Sequence, residues 1–199
     1  MSLRAALRDQ AGHCAALGSP FTARLCTLLA ERLQPDTPLA RRLFDWPGDI
    51  GPKGASVPLR LAGALHALVL QGHALARVWP PQQPGTEALW QGIERALTRD
   101  AEAIGRFLDS PPQTNEVRRA AALIATGHWL AARHPLPMVL SELGASAGLN
   151  LNWDRFALAT GAGRLGPQSP ALTLTPDWTG PLPAPAALRI AERAGVDLN

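Results

Sequence analysis

Pro137-Met138-Val139-Leu140-Ser141-Glu142-Leu143-Gly144-Ala145-Ser146-Ala147-Gly148 marks the point at which the pattern of the chain changes. Residues 138–143 form a short, largely apolar run between a proline and a glycine, which predicts a buried β-strand. The small residues of 144–148 predict a tight turn. Leu149, Trp153 and Phe156 then repeat at i, i+4 and i+7, which predicts a short helix. Strand, glycine turn and helix in this order are typical of an α/β unit.

Upstream of this run, the sequence predicts helices almost throughout. Apolar residues recur at helical spacing, and prolines and glycines separate one segment from the next. The predicted helices cover 2–17, 21–34, 59–79 and 86–109 and a segment from Glu116 through Trp129, with a Gly/Pro-rich loop over 45–58. We therefore expect a helical domain over residues 1–134.

Downstream, the remaining residues predict only part of a sheet. A small strand is expected at Leu172-Leu174 with Thr175, a helix at 186–194, and the start or end of a second strand at 195–199. One complete βα unit and a terminal strand do not close a parallel sheet. We therefore expect an α-rich α/β protein in which residues 135–199 open a Rossmann-like, methyltransferase-like domain that is truncated, or whose open sheet edge a partner covers.

The glycine turn is similar to the loop that holds an adenosyl cofactor in class I methyltransferases. That pattern has an acid at the end of the first strand and glycines in the turn, and here Glu142, Gly144 and Gly148 match, with Ser146 at the middle glycine. Glycines let backbone approach a ligand, and a helix N-terminus attracts its acidic group. Asp197 is similar to the second acid that bonds the ribose hydroxyls; it lies 49 residues past Gly148 (197 − 148) where about 20 are usual, and a Gly/Pro-rich insertion at 157–185 would account for the difference. These five residues predict a site for S-adenosylmethionine, with no catalytic base assigned.

Three alternatives stay open for the same chain. Residues 144–148 also read G-x-S-x-G, the nucleophile elbow of serine hydrolases, with Ser146 as nucleophile. That chemistry needs an imidazole base, and every histidine precedes the turn. A turn of small residues can instead serve only to pack a strand against the next helix. Finally, the helical region can act as a non-catalytic interaction or scaffold domain.

Polar residues also precede the predicted helix that ends at Trp129. Gln113-Thr114-Asn115-Glu116 and the glycine turn both lie just before helices, so their polar side chains can converge on one pocket. Thr114 or Asn115 also suits the helix cap, with Glu116 in the first turn. The segment therefore predicts either a pocket wall or a cap at a domain junction.

Composition excludes several classes of function. Apolar residues make up 46% of the chain and charged residues 18%, which is typical of globular proteins. The net charge is +3, but the arginines are scattered, so no nucleic-acid partner is expected. Cys14 and Cys26 have no histidine at ligand spacing, so no metal is expected. Without a signal peptide or a membrane-length apolar run, the chain is expected to be soluble and cytoplasmic. An open sheet edge favours a homo-oligomer.

Two segments carry a resemblance to a known family. Residues 113–119 read Q-T-N-E-V-R-R, and residues 142–151 read E-L-G-A-S-A-G-L-N-L. Together with Leu61 to Leu68 and the closing G-V-D-L-N, they resemble an uncharacterised bacterial family known as domain of unknown function 2332. The resemblance covers essentially the whole chain and implies that the protein continues beyond residue 199. It brings no established activity and no catalytic residues.

Overall fold

The computed structural model describes residues 1–113 and 116–198. The chain divides into two compact units, Met1–Pro112 and Gln113–Asn199. The sequence placed a boundary at 134/135, whereas the unit boundary in the structure lies at 112/113. The difference is the last long helix, which belongs to the second unit because its buried face packs against residues that follow it in the chain.

The first unit is built entirely from helices in its described residues. Its α-helices are α1 (Leu3–Ala16), α2 (Pro20–Arg32), α3 (Pro38–Phe44), α4 (Val57–Leu70), α5 (Thr86–Arg99) and α6 (Ala101–Asp109), with a 3-10 segment at Ala74–Val78. Polar capping residues and prolines in the first turn determine where several of these helices begin. The Ser2 hydroxyl accepts from the Ala5 N–H, and the Thr37 hydroxyl accepts from the Ala40 N–H.

Leucines dominate the core of the first unit. Their helical spacing turns one face of each helix inward, where burial of apolar surface stabilises the fold. The largest fully buried side chains of this unit are Leu3, Leu7, Leu25, Leu29, Leu43, Leu61, Leu65, Leu75, Leu89, Ile93, Ile104 and Leu108.

Two long predicted helices are each divided in the structure. The helix expected over 59–79 ends at Leu70, because Gly72 adopts a φ of 82° that a right-handed helix cannot contain. The helix expected over 86–109 is interrupted at Asp100, where α5 ends and α6 begins. Neither interruption changes the buried face, which is the feature that the apolar periodicity predicted.

The second unit combines one long helix with two small sheets. Its elements are a 3-10 turn at Val117–Arg119, α7 (Ala120–Arg133), β1 (Met138–Leu143), a 3-10 segment at Asn150–Arg155, β2 (Phe156–Thr160), β3 (Gly163–Leu165), β4 (Leu172–Leu174) and β5 (Ile190–Val196). β1 pairs with β5 in parallel, and the other sheet has the order β3-β2-β4. The α-rich α/β class is confirmed.

The helix predicted over 186–194 is wrong. β5 covers Ile190–Val196 and pairs with β1, from Met138 opposite Ile190 to Leu143 opposite Val196. Residues 180–189 are irregular, in a stretch rich in proline. The strand expected at 195–199 therefore begins earlier and ends at Val196. Pairing with a distant strand has overridden the local helix preference of an alanine-rich segment.

The connection between β1 and β5 differs from that of a Rossmann unit. The short helix expected from Leu149 to Phe156 is a 3-10 segment with a non-helical Asn152. Among the described residues, no α-helix lies between the two parallel strands; the three-stranded sheet takes that place. Buried Ile124 of α7 packs with Trp153 and Leu158, so the helix that supports this unit precedes β1.

Candidate functional site

The turn after β1 is sharp, as the sequence predicts. Gly144, Ser146 and Gly148 have φ angles of 70°, 50° and 68°. Glycine adopts such angles without strain, whereas a serine there is uncommon. Ser146 is therefore held in a conformation that its neighbours must stabilise.

Hydrogen bonds inside the protein already use the amides of this turn. The N–H groups of Gly144 and Ala145 donate to the Val196 carbonyl at 2.9 and 3.1 Å, and the Gly148 N–H donates to the Ala145 carbonyl at 2.8 Å. The Ser146 N–H donates to Oδ2 of Asp197 at 2.7 Å. The sequence suggested amides turned toward a ligand, but these four point into the protein, so a ligand here depends on side chains.

Asp197 lies directly beyond the end of β5 and closes the turn. Its carboxylate accepts from the Ser146 N–H and, at 2.7 Å, from the Leu198 N–H. These bonds, and one from the Gln113 side chain, hold the pKa of the Asp197 carboxyl below its usual range. The carboxylate is consequently ionised at neutral pH and acts as an acceptor for the turn.

Glu142 is the acid whose hydrogen-bonding capacity is not used. It lies at the carboxyl end of β1, on the same face as Met138 and Leu140. Its Oε2 is buried and has no hydrogen-bond partner among the described residues. A buried carboxylate oxygen without a donor is costly, and a structure that keeps one invites a ligand that supplies the donor.

A cavity of about 440 Å³ opens beside Glu142. Its walls include apolar surface from Leu123, Leu140 and the indole of Trp153, and polar groups from Arg119 and Asn150. The volume is within the range of about 300–1,000 Å³ that is usual for small-molecule sites. Apolar walls with a few polar groups are the usual composition of such sites.

The structure brings some of the expected site residues together and leaves others in supporting roles. Glu142 and Asp197 come at the carboxyl ends of adjacent parallel strands, the edge at which α/β proteins bind ligands. Ser146 contacts Asp197 directly. Gly144 and Gly148 shape the turn, and only Glu142 of the five lines the cavity.

Of the residues that line this cavity, the sequence predicted only Glu142 as a site residue. Arg119, Asn150 and Trp153 line it, although none lies in the glycine turn. A signal existed for two of them, because Arg119 and Asn150 belong to the segments that carry the family resemblance. Asn150 links these segments, since its Nδ2 donates to the Glu116 carbonyl at 3.5 Å.

The polar segment 113–116 is described only at its ends. Gln113 bonds to Asp197 through its side chain. The Glu116 carboxylate accepts from the Arg118 N–H at 3.0 Å and caps the following 3-10 turn. Thr114 and Asn115 lie outside the described residues. The two ends of the segment thus contact residues next to the glycine turn, Gln113 through Asp197 and Glu116 through Asn150.

Ser146 has no imidazole base in the described part of the second unit. His128 uses Nδ1 to accept from the Ala186 N–H at 3.0 Å, and no histidine hydrogen bonds to Ser146 there. No group of three His, Cys, Asp or Glu side chains in the described ranges could hold a metal ion. None of the helices in those ranges is long and apolar enough to cross a membrane.

Fold and site together define an α-rich α/β protein with a parallel strand pair and a polar-lined cavity at the carboxyl end of its first strand. The chain belongs to a bacterial family described as "Uncharacterized protein conserved in bacteria (DUF2332)", whose model matches residues 4–199. The resemblance noted from the sequence is thereby confirmed. No curated protein and no solved structure matches the chain.

Proposed function

We propose that the second unit binds an adenosyl-containing ligand, with S-adenosylmethionine as the candidate cofactor, in the cavity beside Glu142. The observation that carries the proposal is the buried Oε2 of Glu142 at the wall of that cavity, which has no hydrogen-bond partner among the described residues. Ribose hydroxyls supply the missing donors, and an acid at the end of a strand is a common acceptor for them.

The other walls suit the rest of such a ligand. Trp153 and Leu123 offer apolar surface for a purine ring, while Asn150 offers polar atoms and Arg119 a positive charge. When bound, S-adenosylmethionine would supply a methyl group on a sulfonium, ready for transfer to a nucleophile. The contribution of the chain is then to hold and orient S-adenosylmethionine and the molecule that carries the nucleophile. Correct positioning of the two reactants by itself accelerates the methyl transfer.

Calorimetry on the full chain tests this proposal with S-adenosylmethionine and S-adenosylhomocysteine. Glu142→Gln keeps the shape of the side chain but removes its charge, so binding should weaken about tenfold or more, since charge-assisted hydrogen bonds contribute about 1.5–3 kcal/mol. Glu192→Gln is the matched control, because Glu192 is an exposed residue of β5. Absence of heat and of any thermal shift with both ligands would exclude the proposal.

A second candidate is a non-catalytic interaction domain. The specific observation is an apolar face on the β1–β5 pair, where Val139, Leu143 and Val196 are 62%, 87% and 58% exposed. The sequence favoured the helical region for such a role, whereas this face belongs to the second unit. If no adenosyl compound binds but the protein self-associates through this face, the interaction role is the better account.

A further inference from the structure

The first unit contains a cavity of its own, of about 420 Å³. It lies where the 3-10 segment Ala74–Val78 faces α5, and Leu75, Val78 and Gly92 form its apolar side. Arg77, Arg95 and Arg99 also line it. Three exposed arginines thus meet at one cavity, in a chain whose arginines are otherwise scattered along the sequence.

Close packing at Gly92 creates this arrangement. A Cβ at Gly92 would lie 2.6 Å from Cγ2 of Val78 and 3.3 Å from Cδ1 of Leu75. Only glycine therefore lets the 3-10 segment pack this tightly on α5. The packing holds Arg77 on one side of the cavity while α5 supplies the other two arginines.

His73 lines the same cavity and lies beside Asp100. His73 Nδ1 accepts from the Leu75 N–H at 3.0 Å, which fixes the start of the 3-10 segment. Its Nε2 lies 3.1 Å from Oδ2 of Asp100. The Asp100 carboxylate thus faces His73, and among the described residues no ion pair joins it to an arginine.

The three arginines have no ion-pair partner in the part of the chain that the structure describes. Among the described residues, no ion pair or hydrogen bond engages the guanidinium groups of Arg77, Arg95 or Arg99, whereas Arg32 and Arg42 pair with carboxylates at 2.7 and 2.6 Å. Arg95 and Arg99 are also one turn apart on α5, where like charges repel. Such a cluster attracts an anion, because binding one relieves the repulsion.

We propose that this cavity binds a phosphorylated small molecule. Guanidinium forks match phosphoryl oxygens in pairs, and a group of three favours a ligand with more than one negative charge. The arginines converge on one cavity instead of following a stripe, which favours a compact ligand over a nucleic-acid backbone. This site belongs to the first unit and does not depend on the function proposed for the second.

Titration calorimetry with inorganic pyrophosphate, at low ionic strength on the full chain, tests the site. The triple variant Arg77→Gln/Arg95→Gln/Arg99→Gln should bind pyrophosphate at least about tenfold more weakly than wild type. The triple variant Arg8→Gln/Arg41→Gln/Arg155→Gln removes the same net charge from exposed arginines elsewhere and should bind within about twofold of wild type. Thermal unfolding of wild type and both triple variants shows whether weaker binding reflects a folding defect. The single variant Arg77→Gln serves the same purpose, because it changes only one of the three arginines.

Three results would overturn the proposal. The first is no pyrophosphate binding by the folded wild type. The second is equal weakening in both triple variants, because the effect would then be net charge alone. The third is preference for another class of ligand. Citrate that binds more tightly than pyrophosphate would show this, and so would an oligonucleotide that binds through these arginines when pyrophosphate does not.

Discussion

The backbone N–H of Ser146 donates a 2.7 Å hydrogen bond to Oδ2 of Asp197, 51 residues further along the chain. The bond joins the turn after β1 to the residue that follows β5, and it holds Ser146 at a φ of 50°. Because it favours the ionised carboxyl, its stabilising effect is present above the ordinary pKa of an aspartate and is lost as the pH falls through the lower folded-state value.

Asp197→Ala should loosen the glycine turn. The substitution leaves the Ser146 N–H without its acceptor, so amide hydrogen exchange at Ser146 should accelerate. Asp197→Asn keeps an acceptor oxygen but loses the charge, so its effect should be intermediate. Exchange at the Leu25 amide, in the core of the first unit, serves as the internal control. Unchanged protection of Ser146 in Asp197→Ala would contradict the role assigned to this bond.

Gly127→Ala should destabilise the second unit although alanine is the better helix former. A Cβ at Gly127 would lie 2.1 Å from Cη2 of Trp153, so the indole must move. Overpacking of this kind costs about 1–3 kcal/mol, which exceeds the helix-propensity gain of about 1 kcal/mol. Gly12→Ala in α1 meets nothing within 4 Å and should be neutral or stabilising. Denaturation followed by tryptophan fluorescence measures the free energy of unfolding of both variants. Equal stability of the two would show that the Trp153 indole can move aside without cost, which would contradict the prediction.

Local signals were sufficient for most helices of the first unit, though not for α3, and for the bounds of β1, which is half-buried to exposed rather than buried as the sequence predicted. Apolar spacing predicted the buried faces of α4 and α5, and Pro137 and Gly144 bounded the first strand. β5 was not predictable in the same way, because Glu192 and Arg193 interrupt its apolar character. What fixes it is pairing with β1, together with hydrogen bonds from Nη2 of Arg193 to both carboxylate oxygens of Asp154 at 2.8 and 2.7 Å. Such partners are distant in sequence.

In the candidate site, too, the residues set by local sequence could be predicted and those set by distant contacts could not. Glu142 was found because an acid before a glycine turn has a recognisable spacing. Trp153 was not, since its place in the cavity depends on Gly127 leaving room for the indole. The use of the turn amides could not be foreseen either, because it depends on how Val196 and Asp197 lie against the turn.

Stability should fall when the pH is lowered below the ordinary histidine pKa of 6.5, through His128. Burial lowers the pKa of His128, and its Nδ1 accepts from the Ala186 N–H, so the fold requires the neutral ring. Below pH 6.5 His128 takes up a proton in the unfolded chain but stays neutral in the folded chain, which favours unfolding. Above pH 6.5 His128 is neutral in both states, so this destabilisation disappears. His128→Asn keeps an acceptor without titrating. Urea denaturation at pH 7.5 and 5.5 should show a larger loss in wild type than in this variant; equal losses would refute the assignment.

Self-association should depend on Leu143. Leu143 and its register partner Val196 are 87% and 58% exposed, and neither β1 nor β5 has a second strand on its outer edge among the described residues. Exposed apolar strands with open edges pair with other chains, and lysine on them prevents this. Sedimentation should therefore show a concentration-dependent oligomer for wild type and a dissociation constant at least about tenfold higher for Leu143→Lys. Leu17→Lys, at a residue 85% exposed in the first unit, should behave as wild type. A wild-type protein that stays monomeric at every concentration would remove this interface, and with it the interaction role considered for the second unit.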